Sequence, residues 1–387
     1  MKLDELRIVG STQTNVVMIA ELTRVMQRAL RRRLAKPPRK EGLGQLVIPF
    51  DPDVAWAATT YMRTPTRVLW DVCRSDAQRL EPLYEDVFND LLEDTRPLWK
   101  DGDGISVEAR RVEDFAAGER QVVGTVKNAI IDAAKRRGAR LHVDPDRPAS
   151  RWVARLDDEH QIVVSIDLGG GSLSQRGWRL DAGDAPMREH LAAVLLMLAR
   201  FDPRTDVLLD PMCGSGTIPI EAVHAARAMP RRHHALAGLG LDRKAEPLFA
   251  DSSPIVIGCD HDLQVLAAAR DNARSAGVTA DVTWQRADIT TLRRSTIDDI
   301  IRERGREPAP GLILSNPPYG ERLDEQDLRL LYAGIAETLL GFKGWRAGFL
   351  VGTPLFEDVL YDFLGEPRIK KPLANANLRA YFLLYDL

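Results

Sequence analysis

The sequence has 387 residues, 44% of them hydrophobic and 28% charged, with a formal net charge of −3 at neutral pH. That length exceeds what one core usually fills, so two domains are expected, and the composition is that of an ordinary globular chain. A chain this close to neutral carries no global positive field, so any nucleic-acid contact has to come from local patches.

The three cysteines, Cys73, Cys213 and Cys259, are odd in number and far apart. They form no CxxC pair and no Cys/His cluster. Neither a disulfide framework nor a metal site is expected, and a reducing, cytoplasmic location fits. The longest apolar run, Leu191–Ala199, is too short to span a bilayer. The start MKLDELRIVG lacks a signal-peptide core, so no membrane partner is expected. The sequence leaves the oligomeric state open; a monomer is compatible with it.

Leu6–Val9 reads as a first strand. Residues Asn15–Leu34 follow with helical spacing, Val17, Ala20, Leu22, Val25, Met26, Ala29 and Leu30 forming the apolar face. The end of this helix is basic: Arg24, Arg28, Arg31, Arg32, Arg33, Lys36, Arg39 and Lys40, with Pro37-Pro38 as the stop. Cations suit a helix C-terminus, so a solvated helix end is one reading and a phosphate-contacting patch the other.

Strands are expected at Leu46–Phe50, Arg67–Val72 and Ile105–Arg111, and helices at Asp53–Tyr61, Glu81–Leu92 and Gly124–Arg137. Trp152–Leu156 and Gln161–Leu168 read as paired strands. Short mixed elements of this kind indicate an α+β domain. Gly169-Gly170-Gly171 reads as a joining turn rather than a phosphate loop, since no clear helix follows it. After the segment Ser172–Asp184, Pro186 suits the first turn of a helix over Met187–Arg200.

The stretch Asp206–Thr217, DVLLDPMCGSGT, organises the second half. Val207, Leu208 and Leu209 form a short buried strand that ends at Asp210. Pro211 turns the chain, and Cys213, Gly214, Ser215 and Gly216 make a loop of small residues that leads through Thr217 into a helix, Ile218–Met229. Small residues here let a ligand approach the backbone at the carboxyl end of a strand. Glu221, His224 and Arg227 lie three apart as a polar stripe on that helix, with His224 expected as a surface or boundary residue rather than a catalytic base. Residues 230–253 read as an inserted connection, with His233-His234 exposed rather than metal-binding.

Ile255–Cys259 is a second apolar strand closed by Asp260, whose carboxylate can accept from both ribose hydroxyls of a nucleoside cofactor. His261 follows it and is grouped with the cofactor set. A helix is expected over Leu263–Ala273. A third strand, Val282–Ala287, ends in Asp288, which can accept from an adenine amino group; a turn or cap role is the alternative for both acids. The loop lacks G-x-G-x-x-G, and Asp210 would repel a pyrophosphate. Both points disfavour NAD and suit a cationic ammonium or sulfonium ligand.

The deciding stretch is GLILSNPPYGERL, Gly311–Leu323. A fourth buried strand delivers Asn316, Pro317, Pro318 and Tyr319 to its carboxyl end. Two prolines remove two amide donors, leaving carbonyls and the Asn316 side-chain oxygen to accept from an exocyclic base amine. Tyr319 can stack on the base. Leu328–Leu340 then reads as a helix, Ala347–Gly352 as a fifth strand and Arg379–Tyr385 as part of an antiparallel edge pair, with Asn375 in its approach.

Two resemblances rest on these residues. The segment GTVKNAIIDAAKRRGARLHVDPDRPASRWVARL and its continuation resemble a THUMP domain, a module of RNA-modifying enzymes that follows a ferredoxin-like segment and implies a grip on structured RNA. DPMCGSGT, RGWRLDAGDAPMREHLAA and SNPPYGERL resemble class I methyltransferases that act on planar nitrogens, in particular the RNA guanine-N2 methyltransferases of tRNA and large-subunit rRNA.

The implied fold class is α/β: a Rossmann-like class I methyltransferase domain with an N-terminal α+β THUMP/ferredoxin-like RNA-binding region. The expected division is 1–168 for the RNA-binding region, 169–185 for a linker and 186–387 for the methyltransferase domain. The implied cofactor is S-adenosyl-L-methionine, held by Asp210, Pro211, Cys213, Gly214, Ser215, Gly216, Thr217, Asp260, His261 and Asp288. The implied partner is RNA, either tRNA or 23S rRNA, with Asn316, Pro317, Pro318 and Tyr319 as the catalytic set. Adenine-N6 methylation, protein-glutamine methylation and a non-catalytic RNA-binding protein remain as alternatives.

Overall fold

A computed structural model describes residues 2–180, 187–231, 234–318, 324–375 and 378–387. The chain packs as two compact units, but not by one cut. The first is Met1–Gly10, Met18–Leu173 and Pro230–Ala245; the second is Ser11–Val17, Ser174–Met229 and Glu246–Leu387. The main segment of the first unit ends at Leu173, and Pro230–Ala245 belongs with that unit. It packs there: Arg231 N donates to Thr60 O (2.9 Å), and Lys100 Nζ reaches Ala237 O (3.4 Å).

The first unit runs β1 (Lys2–Val9), α1 (Asn15–Ala29), β2 (Arg39–Glu41), β3 (Gln45–Pro49), α2 (Pro52–Tyr61), β4 (Arg67–Ser75), α3 (Leu80–Leu92), β5 (Gly104–Arg110), α4 (Glu119–Arg136), β6 (His142–Val143), β7 (Ser150–Leu156) and β8 (Ile162–Asp167). The strands form one eight-stranded mixed sheet in the order β2-β3-β1-β4-β8-β7-β5-β6. Its apolar helices show their period plainly: Val122, Val126, Ile130 and Ala133 of α4, and Leu83, Val87 and Leu91 of α3, are all buried. A buried polar group crosses the sheet. Asp71 accepts from Arg7 Nε (2.8 Å), Arg155 (3.0 Å) and the Ser165 hydroxyl (2.6 Å), so this carboxylate is paired as a buried charge has to be.

Most helix boundaries fall within three residues of those expected, but two differ by five. Helix α1 stops at Ala29, not at Leu34, and the proline pair plays no part. Arg31 takes a left-handed backbone, φ +53°, and both Leu30 N and Arg32 N turn back onto Met26 O. A non-glycine residue in that region is uncommon, so composition gave no warning. Helix α4 starts at Glu119, before Gly124, because the Gln121 side chain accepts from Gly118 N (3.1 Å) and closes the first turn.

The rest of the chain runs α5 (Glu189–Leu198), β9 (Val207–Asp210), α6 (Thr217–Arg227), α7 (His234–Gly238, part of the first unit), β10 (Ile255–Asp260), α8 (Leu263–Ser275), β11 (Val282–Arg286), α9 (Arg294–Glu303), β12 (Leu312–Ser315), α10 (Glu325–Leu340), β13 (Arg346–Val351), α11 (Pro354–Leu364), β14 (Ile369–Asn375) and β15 (Leu378–Asp386). The second sheet is β11-β10-β9-β12-β13-β15-β14. Its strands are parallel except for β15, which is antiparallel to both β13 and β14.

Successive residues of β9 feed opposite cores. Val207 and Leu209 pack with Ile313, Tyr332, Ile335 and Phe356; Leu208 packs with Leu195, Ile220, Val223 and Leu312. Burial on both faces explains why these strands read as unbroken apolar runs. Helices α9 and α11 were not anticipated; Ile297, Ile300 and Ile301 bury the face of α9, and Thr353 with Pro354 caps α11.

Of the polar stripe on α6, Glu221 and His224 are buried and Arg227 is half-buried. Glu221 is ion-paired with Arg176 (3.3 Å), His224 Nε2 meets Ala276 O (3.0 Å), and Arg227 forks onto Asp281 (2.6 and 2.9 Å). Each polar group finds a partner on another segment, which is what permits its burial.

Candidate active site

The site lies where the strand order changes direction, β10 on one side of β9 and β12 on the other, at the carboxyl ends of all three. Open α/β sheets bind ligands at this kind of switch point. Gly258 pairs in register with Asp210, and Ile313 with Leu209, so the three strands end close to level.

The glycine loop has the conformation its residues allow. Gly214 (φ +52°) and Gly216 (φ +85°) are left-handed, and Gly216 caps α6. A Cβ on Gly216 would stand 2.7 Å from the Trp284 ring and 3.2 Å from Ala269, so glycine is required there for space as well as for φ. Pro211 and Cys213 are buried beneath the loop, and Cys213 N donates to Cys259 O (2.8 Å), tying the loop to β10. Burial pushes the Cys213 thiol well up, which keeps it protonated and inert.

Asp260 supports the loop from β10. Its Oδ2 accepts from Gly214 N (3.1 Å) and its Oδ1 from Asp262 N (3.1 Å), with exposed His261 Nδ1 at 3.3 Å. Asp210 is only 2% exposed. Its Oδ1 takes both the Ser315 hydroxyl (2.6 Å) and Met212 N (3.3 Å), while Oδ2 accepts nothing from the described residues. Burial, reinforced by Asp260, pushes the Asp210 carboxyl up to about 7 against those two bonds.

Asp288 sits differently. It is exposed, and Oδ1 accepts from Thr290 N (2.9 Å) and Thr290 Oγ1 (2.8 Å), capping a short 3-10 turn at Ile289–Thr291. These bonds hold its carboxyl below the usual range. The turn-capping alternative is therefore realised, with the second oxygen left over.

At the end of β12, Asn316 is half-buried and its Oδ1 is buried without a hydrogen-bond partner among the described residues. Such an orphan acceptor calls for a ligand donor. Pro317 is buried. Pro318 is exposed, and its carbonyl accepts from Tyr332 Oη (2.7 Å) on α10. Tyr319 lies outside the described residues.

Four supporting residues escaped the sequence reading. Arg179 donates to Ser215 Oγ (3.2 Å), Thr217 Oγ1 (3.0 Å), Met187 O (2.8 Å) and Glu189 (3.2 Å), and so clamps the glycine loop to the segment before α5. Asn272 takes Leu180 N (2.8 Å) on its oxygen and gives its amide to Ser215 O (3.0 Å). Ser315 and Tyr332 complete the set. Asn272 did carry a signal, as a polar residue in the stripe Leu266, Ala269, Ala273 of α8. Among the described residues no three His, Cys, Asp or Glu side chains group to hold a metal ion, and no helix is long and apolar enough to cross a membrane.

A parallel sheet with an antiparallel penultimate insertion, a glycine loop after its first strand and Asn-Pro-Pro after its fourth define a class I methyltransferase fold. Residues 176–374 match the family described as UPF0020, RMKL-like, methyltransferase domain, and the chain belongs to that family. It is 32% identical over 324 residues to the ribosomal RNA large subunit methyltransferase K/L of Syntrophotalea carbinolica, covering 78% of this chain and 44% of that one. The Cellvibrio japonicus protein of the same name is 34% identical, with 79% and 42% covered. The chain thus spans less than half the length of these curated relatives. Over its whole length the fold is similar to that of SMU.472, a methyltransferase whose crystal structure holds SAH: TM-score 0.78, 24% identity, 100% of this chain and 98% of that one covered.

Proposed function

We propose that this chain transfers a methyl group from S-adenosyl-L-methionine to the exocyclic N2 amine of a guanosine in structured RNA, large-subunit rRNA being favoured over tRNA by the names of its relatives. The observation that carries this reading is the orphan buried Oδ1 of Asn316 beside two consecutive prolines. An exocyclic amine offers two N–H donors. Asn316 Oδ1 takes one and the Pro317 carbonyl the other, since the Pro318 carbonyl is already engaged by Tyr332. Held in this way, the nitrogen lone pair is aimed for in-line attack, and catalysis is mainly alignment. A base in a helix has to be flipped out to reach these acceptors.

The donor side fits the cofactor. Gly214 leaves its backbone open to a ligand, Asp210 Oδ2 is left to face the cationic group of the cofactor, and Asp260 and Asp288, at and just past the ends of the next two strands, would take ribose and adenine. When bound, S-adenosyl-L-methionine supplies an electrophilic methyl group. No strong general base is required if the amine proton leaves after transfer. The N-terminal unit acts as a ferredoxin-like plus THUMP-like module that positions the RNA, and Tyr319 with Pro318 packs on the base.

Asn316→Ala tests the assignment. Transfer of labelled methyl to RNA should vanish while cofactor affinity, measured by calorimetry, stays within a few-fold. Collapse of cofactor binding would show that Asn316 belongs to the donor side instead.

A further inference from the structure

Between Glu21 and Glu41 the chain carries eight arginines and lysines and not one acidic residue, in a protein of net charge −3. The structure sorts these cations. Arg32 is spent on Asp51 (2.6 Å) and Asp53 (3.6 Å), and Arg39 on Glu5 (3.1 Å) and Glu41 (2.7 Å). Arg24, Arg31, Arg33, Lys36 and Lys40 are exposed and have no carboxylate partner among the described residues. They run from the last turns of α1, through the left-handed turn at Arg31, to β2, the edge strand of the first sheet.

The ordinary uses of surface cations account for only part of this. A helix C-terminus is satisfied by a charge or two in its last turn, and a sheet edge is guarded by a lysine. Five uncompensated cations on one short stretch repel one another, so the patch is poised for a polyanion. The cluster at the end of α4 differs. There Arg137 donates to Leu91 O and Arg96 O and lies over Trp99, and Arg140 faces Asp101 (3.7 Å). Those charges are partly consumed by the fold.

We propose that the end of α1, the 30–38 connection and edge strand β2 form a docking surface for the phosphate backbone of the RNA substrate. This rests on the reading that the chain acts on RNA. The stretch from Leu22 to Lys40 contains no Phe, Tyr or Trp, so it offers no stacking platform for bases. The surface therefore positions RNA by charge and shape and carries no base specificity of its own.

Filter binding of the full chain to deproteinised large-subunit rRNA and to an unrelated RNA hairpin, across about 50–200 mM salt, tests the surface. The triple variant Arg24→Glu/Arg33→Glu/Lys36→Glu should bind both RNAs about 10–100-fold more weakly, with a salt slope shallower by about two to three. The control Arg302→Glu/Arg329→Glu, at exposed cations paired with Asp299 (2.7 Å) and Glu325 (3.0 Å) on their own helices, should change affinity by less than about twofold and leave the salt slope nearly unchanged. Cofactor affinity reports folding, and the milder pair Arg33→Gln/Lys36→Gln serves if the triple variant is unstable. A triple or paired variant that binds RNA as tightly, with the wild-type salt slope, overturns the surface and leaves the RNA reading standing. A wild-type chain with no salt-dependent RNA binding overturns both.

Discussion

The Ser315 hydroxyl donates to Asp210 Oδ1 at 2.6 Å, joining the residue that precedes Asn316 to the residue that opens the glycine loop. Both are buried, on neighbouring strands β12 and β9. Donor loop and acceptor motif are thus one hydrogen-bonded unit. Ser315→Ala removes a bond to a buried carboxylate, worth about 1.5–3 kcal/mol when charged. It should weaken cofactor binding and turnover together, by roughly 10–100-fold, and Ser315→Thr should restore most of both. Calorimetry and single-turnover rates check this; a change in turnover alone would mean that the pair does not reach the donor side.

The proposed role of Asp210 beside the cofactor's cationic group predicts that cofactor binding depends on pH. With its carboxyl at about 7, the free protein carries a proton there in mildly acidic buffer. A cationic ligand needs the carboxylate, so that proton has to leave on binding. Affinity should therefore fall as pH drops below about 7, by up to about tenfold per unit. The folded value lies above the unfolded one of about 3.9. This group's contribution to stability is fully present below the unfolded pKa and is lost as pH rises through about 7. Asp210→Asn should accordingly melt at an equal or higher temperature at pH above 7, yet bind cofactor poorly and with little pH dependence.

Tyr332 fixes the second proline. Its hydroxyl is held by Pro318 O, and burial pushes it up to about 12, so it stays a donor across the working range. Tyr332→Phe keeps the ring that packs on Phe356 and loses only that bond. Loss of one neutral hydrogen bond of about 1 kcal/mol predicts a roughly fivefold lower kcat, with cofactor affinity unchanged. Equal loss in both would assign Tyr332 to the general stability of the unit.

Gly216 is the strictest position in the loop. Alanine there meets the Trp284 ring and has to adopt a left-handed backbone. The combined strain is about 2–4 kcal/mol. Gly216→Ala should lower the melting temperature and abolish measurable cofactor binding, whereas Gly214→Ala, with open space around its Cβ position, should do less to stability.

How far the sequence spoke depended on the range of the interaction. Strands β9, β10 and β12 were legible because burial on both faces leaves continuous apolar runs, each closed by a polar residue at the site. Gly214, Gly216 and Asn316 were legible because their chemistry is local. Arg179 and Asn272 were not, since what they do is defined by Ser215, Thr217 and Leu180, which the fold brings to them. The same holds for Glu221 and His224, whose polar spacing reads as a surface until their partners Arg176 and Ala276 are seen. The early end of α1 turns on the backbone of Arg31, a residue type with no preference for that conformation.

The central claim is methylation of guanine N2. Nucleoside mass spectrometry of rRNA and tRNA after incubation with the purified chain and S-adenosyl-L-methionine tests it most directly, with the Asn316→Ala protein as the control. The account predicts N2-methylguanosine in one RNA fraction with the wild-type chain and none with the variant. N6-methyladenosine in its place, or methylation of protein with RNA untouched, would contradict it.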